Sequence, residues 1–295
     1  MQVVHRNLKW GSDGGMITFF ARILASLRKV KLHNKRKIAQ IIAFAVSNLG
    51  LVRVLKTGFI CPFLYCHGCP FAAFGCPIGI LQSAREFLVS GQGWALSFTI
   101  GSLGAYGTIL GRAFCGWACP FGTLHDLLSP TSRRREVKTR NYWYVKYAIS
   151  LLALALAWFA LDTIFCKFCP SGSLFASIPY PLREYLLYNR FAELREPFYI
   201  HLFTLASIVV LALLISRFWC RYLCPMGAVA GAFNKISAVR ISLDEGRCKK
   251  CDVCLEDCGM GITKLEDIGG STDCILCGRC IEACPEGALR FVIGK

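Results

Sequence analysis

The sequence predicts an all-α membrane bundle of four transmembrane helices, followed by a small α+β domain. Three observations predict it. The 295 residues are 55% hydrophobic with a mean hydropathy of +0.47, too apolar for a water-exposed domain of this size. Four stretches are long and poor in charge. From about Ile236 the character changes: charge rises, apolar runs shorten, and eight Cys fall within 37 residues.

The predicted spans are about Ile38–Leu55, Val89–Gly111, Tyr147–Phe165 and Pro197–Ser216. Each approaches the twenty or so residues a hydrocarbon core requires. Residues 1–37 form a basic segment with nine Lys or Arg, and the 112–146 connection carries seven. The 56–88 connection carries only Lys56 and Arg85, and the 166–196 connection carries four basic residues against three acids. Such asymmetry predicts a multi-pass protein of a prokaryotic inner membrane with both termini cytoplasmic. Residues Met16–Lys37 read either as an amphipathic surface helix or as a plain positive-inside anchor. The net charge of +16 gathers beside the apolar segments. That pattern suits membrane lipid as a partner and argues against nucleic acid. No cleavable signal peptide is read at the N-terminus.

The membrane region, 38–235, repeats itself. The second span ends in Arg112-Ala-Phe-Cys115-Gly-Trp-Ala-Cys119-Pro120, and the fourth ends in Arg217-Phe-Trp-Cys220-Arg-Tyr-Leu-Cys224-Pro225. Each half, 38–130 and 143–235, runs span, outer Cys group, span, inner Cys-x3-Cys-Pro. Two spans per half make the repeats parallel. At the repeat axis Cys115, Cys119, Cys220 and Cys224 supply four thiolates, with Arg112, Arg217 and Arg221 nearby to offset negative charge or to act as ordinary flanking residues.

The tail, 240–295, reads Cys248-x2-Cys251-x2-Cys254-x3-Cys258 and then Cys274-x2-Cys277-x2-Cys280-x3-Cys284-Pro285. This is the bacterial two-cluster ferredoxin spacing, in which the fourth Cys of each run serves the other cluster. One [4Fe–4S] cluster is expected on Cys248, Cys251, Cys254 and Cys284, and the second on Cys274, Cys277, Cys280 and Cys258. The fourth ligand is expected to open a helix, where proline is tolerated. Zinc is the alternative occupant of four thiolates. Cys258 departs from the pattern by preceding Gly259 rather than proline.

A Cys-Pro-x-Gly signature recurs at Cys76, Cys119, Cys169, Cys224 and Cys284, so the helical copies are read as ligands by analogy with the tail. The outer face holds six Cys. The preferred set is Cys66, Cys69, Cys166 and Cys169, leaving Cys61 and Cys76 as substitutes, thiols or a disulfide pair. A plant-type [2Fe–2S] set of Cys61, Cys66, Cys69 and Cys76 is the competing reading. One or two further [4Fe–4S] clusters are thus expected in the helical region. His201, Asp162 and Arg53 are read either as a quinone or proton site or as interface residues, while His67 and His125 each sit beside a Cys motif.

With these motifs in hand, the chain resembles the NapH/NosR-type membrane polyferredoxins over about residues 38–290. The resemblance implies four helices, cytoplasmic termini and electron exchange between the quinone pool and other redox protein subunits, as in a quinol dehydrogenase-like protein. The chain departs from that pattern in having no large outer flavin-binding domain and in carrying six outer Cys. Two functions are carried forward: an electron conduit, and a redox assembly factor that donates electrons for cofactor or metal insertion.

Overall fold

The computed structural model describes residues 32–48, 76–133, 142, 144–189 and 196–294. Thirteen helical segments come first. They are α1 (Leu32–Asn48), α2 (Pro77–Gln82), α3 (Ala84–Val89), α4 (Gly93–Leu110), α5 (Ala113–Trp117), α6 (Pro120–Arg133) and α7 (Val145–Ala160). Then follow α8 (Ile164–Lys167), α9 (Pro170–Gly172), α10 (Pro179–Tyr188), α11 (Glu196–Leu214), α12 (Phe218–Tyr222) and α13 (Pro225–Phe233). One π turn, Ser173–Ser177, continues α9.

The four-helix membrane expectation is overturned. Among the described residues no helix is long and apolar enough to cross a membrane. The helices standing where spans were expected have 17, 18, 16 and 19 residues. At 1.5 Å per residue the longest reaches about 29 Å, short of the roughly 30 Å hydrocarbon core. α1 spends much of its length on His33, Asn34, Lys35, Arg36, Lys37 and Gln40, and α7 stops at Leu161 in a left-handed conformation. The multi-pass inner-membrane placement falls with the spans. Its charge argument fails for a separate reason: Arg36, Arg112, Lys146 and Arg217 are buried and spent on internal bonds rather than exposed as topology markers. The apolar character that suggested spans lies partly on outward faces, at Phe98 and Ile109 of α4, Leu151 and Phe159 of α7, and Phe203 and Val210 of α11.

The helices keep an order that follows the two Cys-x3-Cys-Pro motifs. α4–α5–α6 corresponds to α11–α12–α13, and the halves interleave: α6 packs on α11, while α13 packs on α4 and α7. Their shared core is Ile78, Leu103, Phe121, Cys169, Ile208, Trp219 and Met226. Residues 49–55 of the expected first span lie outside the described residues, Arg53 among them, as do Cys61, Cys66, His67 and Cys69.

The tail closes with a two-stranded antiparallel sheet, β1 (Val239–Leu243) on β2 (Leu289–Ile293), with Ile241 opposite Phe291. Between the strands lie α14 (Val253–Glu256) and α15 (Arg279–Ala283). Ile241, Ile262, Ile268, Leu276 and Leu289 form the tail's core together with Cys254 and Cys274. One local expectation is corrected. Cys284 does not open a helix; it follows α15 and begins a turn closed by Gly287 N–H to the Cys284 carbonyl at 3.3 Å, leading straight into β2. The chain must reverse there to complete the sheet.

Candidate iron–sulfur centres

The two tail runs share one backbone device. Lys250 and Asp252 have left-handed φ (53° and 57°), as do Leu276 and Gly278 (50° and 77°). These positions are equivalent, two and four residues after the first Cys of each run. Alternating handedness turns successive N–H groups inward, as in an anion-binding nest. Cys258 accepts backbone N–H groups from Ile262, Met260 and Gly261, and Cys274 from Leu276 and Gly269. Ala288 N–H reaches Cys284 Sγ at 3.4 Å. The chain brings Cys254 together with Cys284, Cys248 and Cys251. It brings Cys280 together with Cys277, Cys274 and Cys258. Gly259 stands where proline was expected because its Cα meets the helical region: an added Cβ would lie 3.1 Å from Ser216 Oγ.

Cys115, Cys119, Cys220 and Cys224 also converge, each pair of the repeat facing the other. The Cys-Pro-x-Gly signature has a physical reading here. Cys224 occupies the N-cap of α13 in extended conformation, Pro225 is N1, and Gly227 N–H donates to Cys224 Sγ at 3.3 Å. Gly122 N–H does the same for Cys119. The sulfur thus takes the role of a side-chain cap oxygen. Glycine is required at the third helical position because it faces the preceding Cys carbonyl and an arginine of the other half. A Cβ on Gly122 would lie 2.7 Å from the Cys115 carbonyl and 3.6 Å from Arg217 Nη1; on Gly227 it would lie 2.9 Å from Arg112 Nη2. Each half's arginine crosses to the other half: Arg112 donates to the Cys220 carbonyl at 3.1 Å, and Arg217 to Asp126 at 2.6 Å.

The tail seats directly on this set. Cys115 and Cys220 share one core with Cys258 and Cys277, around Met260 and Ile275. Helical donors capture the carbonyls that carry the second run: Arg112 to Thr272 at 2.8 Å, Asn234 to Ser271 at 2.8 Å and to Cys274 at 2.6 Å, and Trp117 Nε1 to Leu276 at 2.9 Å.

A third thiol group includes Cys76, one of the two substitutes the sequence offered for the outer set. It adjoins Cys166: an added Cβ on Gly79, three residues on, would lie 3.8 Å from Cys166 Sγ, and Gln82 Nε2 approaches that sulfur at 3.5 Å. Cys169 lies in the core against which Cys76 packs. The proposed partners Cys66 and Cys69 lie outside the described residues, and so does Cys61.

A family model described as a 4Fe-4S binding domain matches residues 92–138, 143–180 and 198–243, and a second such model matches 271–290. Each of the first three segments holds one Cys pair of the helical region. The chain is 27% identical over 201 residues to the ferredoxin-type protein NapH of Haemophilus influenzae, covering 63% of this chain and 64% of that protein. It is 25% identical over 205 residues to the regulatory protein NosR of Pseudomonas aeruginosa, covering 62% of this chain and 25% of that one. The chain belongs to the NapH/NosR-type polyferredoxin family. An uncharacterised protein of Methanocaldococcus jannaschii is 31% identical over 193 residues, 62% of this chain and 65% of its own length. The chain therefore spans less than two thirds of the length of these relatives. No solved structure matches it. Iron–sulfur electron transfer through [4Fe–4S] domains is the function this membership supports.

The donor sets of this polyferredoxin fit such clusters. A pocket partly open to solvent is lined by Cys254, Cys258, Cys274, Cys277 and Cys280, with Arg36, Arg217 and Arg279 at its wall. Among the described residues no three His, Cys, Asp or Glu side chains close around a single-ion point; a cubane holds its thiolates further apart. Burial pushes the Cys274 thiol up to about 12 and the Cys166 thiol up to about 11, in the latter case with Cys76 adding to it. Burial and neighbouring thiols also raise Cys119, Cys220 and Cys224. Thiols so placed ionise when a cationic centre compensates them, as bound iron does.

Two charged networks of the polyferredoxin were not read from sequence. Asp126 accepts from Arg36 Nη2 and Gln40 Nε2 at 2.6 Å, and from Arg217 Nε and Nη2 at 3.1 and 2.6 Å. Lys146, fully buried, pairs with Asp273 beside Arg112. The one signal available was that Asp126 and Lys146 are charges at the edges of apolar segments. His201 holds Ser177 Oγ at 2.8 Å and the Cys166 carbonyl at 3.0 Å, so both ring nitrogens are engaged. His125 is buried, and burial followed by Arg217 lowers it to about 3, so it is neutral.

Proposed function

We propose that this chain passes single electrons between clusters in the tail and a cluster held by Cys115, Cys119, Cys220 and Cys224, and onward to the thiol group of Cys76, Cys166 and Cys169. The observation that carries it is the shared core of Cys115, Cys220, Cys258 and Cys277. Two thiol sets from distant parts of the sequence abut there with only protein atoms between them. Cys248, Cys251, Cys254 and Cys284 hold the cluster further from the helical region; Cys258, Cys274, Cys277 and Cys280 hold the nearer one. Other redox proteins are the external donor and acceptor. Arg112 is the positive group best placed to tune the helical cluster, being buried and close to Cys115, Cys220 and Cys224.

The test is an anaerobic iron count with potentiometric EPR on the full chain. About twelve iron atoms or more, in at least three [4Fe–4S] centres, is expected. About eight, with signals of the two tail centres alone, overturns the helical cluster. Cys220→Ala is expected to remove about four iron atoms while both tail signals persist. Arg112→Gln is expected to shift one midpoint potential negative, because a positive neighbour favours the more negative reduced form. A loss of about 1.4 kcal/mol of that preference corresponds to about 60 mV for one electron. No shift in any centre would remove Arg112 from this role.

A further inference from the structure

Cys76 and Cys169 of the one thiol group and Cys119 and Cys224 of the other border a single core, and three aromatic rings of that core, Phe165, Trp219 and Phe121, touch one another in series. Phe165 immediately precedes Cys166, and Trp219 immediately precedes Cys220. Their rings meet with centroids 6.1 Å apart at 34°. Trp219 also meets Phe121 edge-on at 5.9 Å, and Phe121 stands two residues after Cys119. Such separations are direct ring contact. Trp219 is 4% exposed, and its indole N–H finds no partner among the described residues. A buried indole with an unsatisfied donor carries a cost; a leucine or phenylalanine would fill the core without it. Hydrogen bonding therefore does not account for tryptophan at 219, whereas a wide π system one residue from a thiolate does.

We propose that Phe165 and Trp219, with Phe121 as a side branch, form the electronic bridge between these two thiol groups. The inference rests on the reading that both groups hold redox centres. The path runs from Cys166 through one residue of backbone to the Phe165 ring, across ring contact to Trp219, and through one residue of backbone to Cys220. Tunnelling decays less steeply through bonded and π-contacted atoms than across saturated side chains in loose contact. The step moves one electron from a reduced iron–sulfur centre on one side to an oxidised one on the other. No bond forms or breaks and no proton moves, and the rings are never themselves oxidised.

The test uses the full chain, loaded with iron and sulfide, reduced by dithionite and sampled by freeze-quench EPR so that each centre is followed separately. Trp219→Leu and Phe165→Leu are each expected to slow electron arrival at the far centre by about tenfold or more. The double variant should be no slower than the slower single one, because both lie on one path. Trp219→Phe, which keeps a ring, should restore most of the rate. Iron content and midpoint potentials should not change. In the fully reduced chain, magnetic coupling between the two centres should weaken in the leucine variants, a readout independent of turnover. Unchanged rate and coupling in an iron-replete leucine variant overturn the bridge. If Trp219→Leu does not fold, the half-buried Phe165→Leu decides the matter alone. An iron count lacking the centre at Cys166 overturns the reading beneath the inference, and is seen before any rate is measured.

Discussion

Asp126→Asn is expected to lower the stability of the chain by about 3–5 kcal/mol, the cost of stripping the partner from a buried charge. Asp126 receives Arg36, Gln40 and a two-pronged contact from Arg217. The two arginines are 2% and 3% exposed. Asparagine keeps one acceptor oxygen and nearly the same volume, so packing is preserved and the charge alone is tested. Arg36 comes from α1 and Arg217 from the start of α12, so the loss should loosen the join of α1, α6 and α12 together. The acid side follows the same logic. Burial alone would raise the carboxyl, but Arg217 and Arg36 outweigh it and hold it well below the usual carboxylate range. A depressed folded-state value means the stabilisation is complete above about pH 4, the unfolded carboxylate range, and is lost as pH falls below it. Thermal unfolding of both proteins at neutral pH is the measurement; equal midpoints would show that Asp126 bears no such load. The gap between them should also narrow below about pH 4.

Gly116→Ala is expected to disturb the seat of the tail. An added Cβ would lie 2.4 Å from the Ile275 carbonyl oxygen and 3.3 Å from Cys277 Cα. That carbonyl has little room to retreat, since its neighbours are held on both sides, Cys274 by Asn234 and Leu276 by Trp117. Relief requires α5 or the 274–277 loop to move, an overpacking cost of about 1–3 kcal/mol. The same movement should separate Cys115 and Cys220 from Cys258 and Cys277 and slow exchange between the tail and helical centres. Gly101→Ala is the control: it lies within α4 with nothing within 4 Å of its added Cβ, and should stabilise by about 0.5–1 kcal/mol. Equal unfolding midpoints and equal rates for the two alanine variants would refute the argument.

Much of the site was legible because cysteine spacing is short-range information. The cysteines of the two tail runs lie near one another, and two left-handed residues per run bend each loop. The inner set was legible from the repeat, because two copies of Arg-x-x-Cys-x3-Cys-Pro-x-Gly point to a shared axis. The spans were misjudged because hydropathy registers apolar residues and not what the intervening charges are doing. Arg36, Arg112, Lys146 and Arg217 look like topology signals in sequence, and their partners, at Asp126, Asp273 and tail carbonyls, lie tens to more than a hundred residues away. For the outer cysteines spacing favoured Cys66 and Cys69 and the Cys-Pro-x-Gly context favoured Cys76; Cys76 packs beside Cys166, and the other two lie outside the described residues.

The crossed arginines have a consequence for ancestry. Interleaved halves, each holding two of four thiols and each reaching into the other, have the geometry of a symmetric dimer joined into one chain. A lone half could never have enclosed a four-thiol site. Once joined, the copies were free to differ, and the differences fall where the tail sits. Gly116, which admits the Ile275 carbonyl, corresponds to Arg221, whose guanidinium lies against Gly261. Asp126, which ties α1 in place, corresponds to Gly231, where a Cβ would lie 2.5 Å from the Thr272 carbonyl. The two halves share the thiol set, and differences at a few paired positions give it a front and a back.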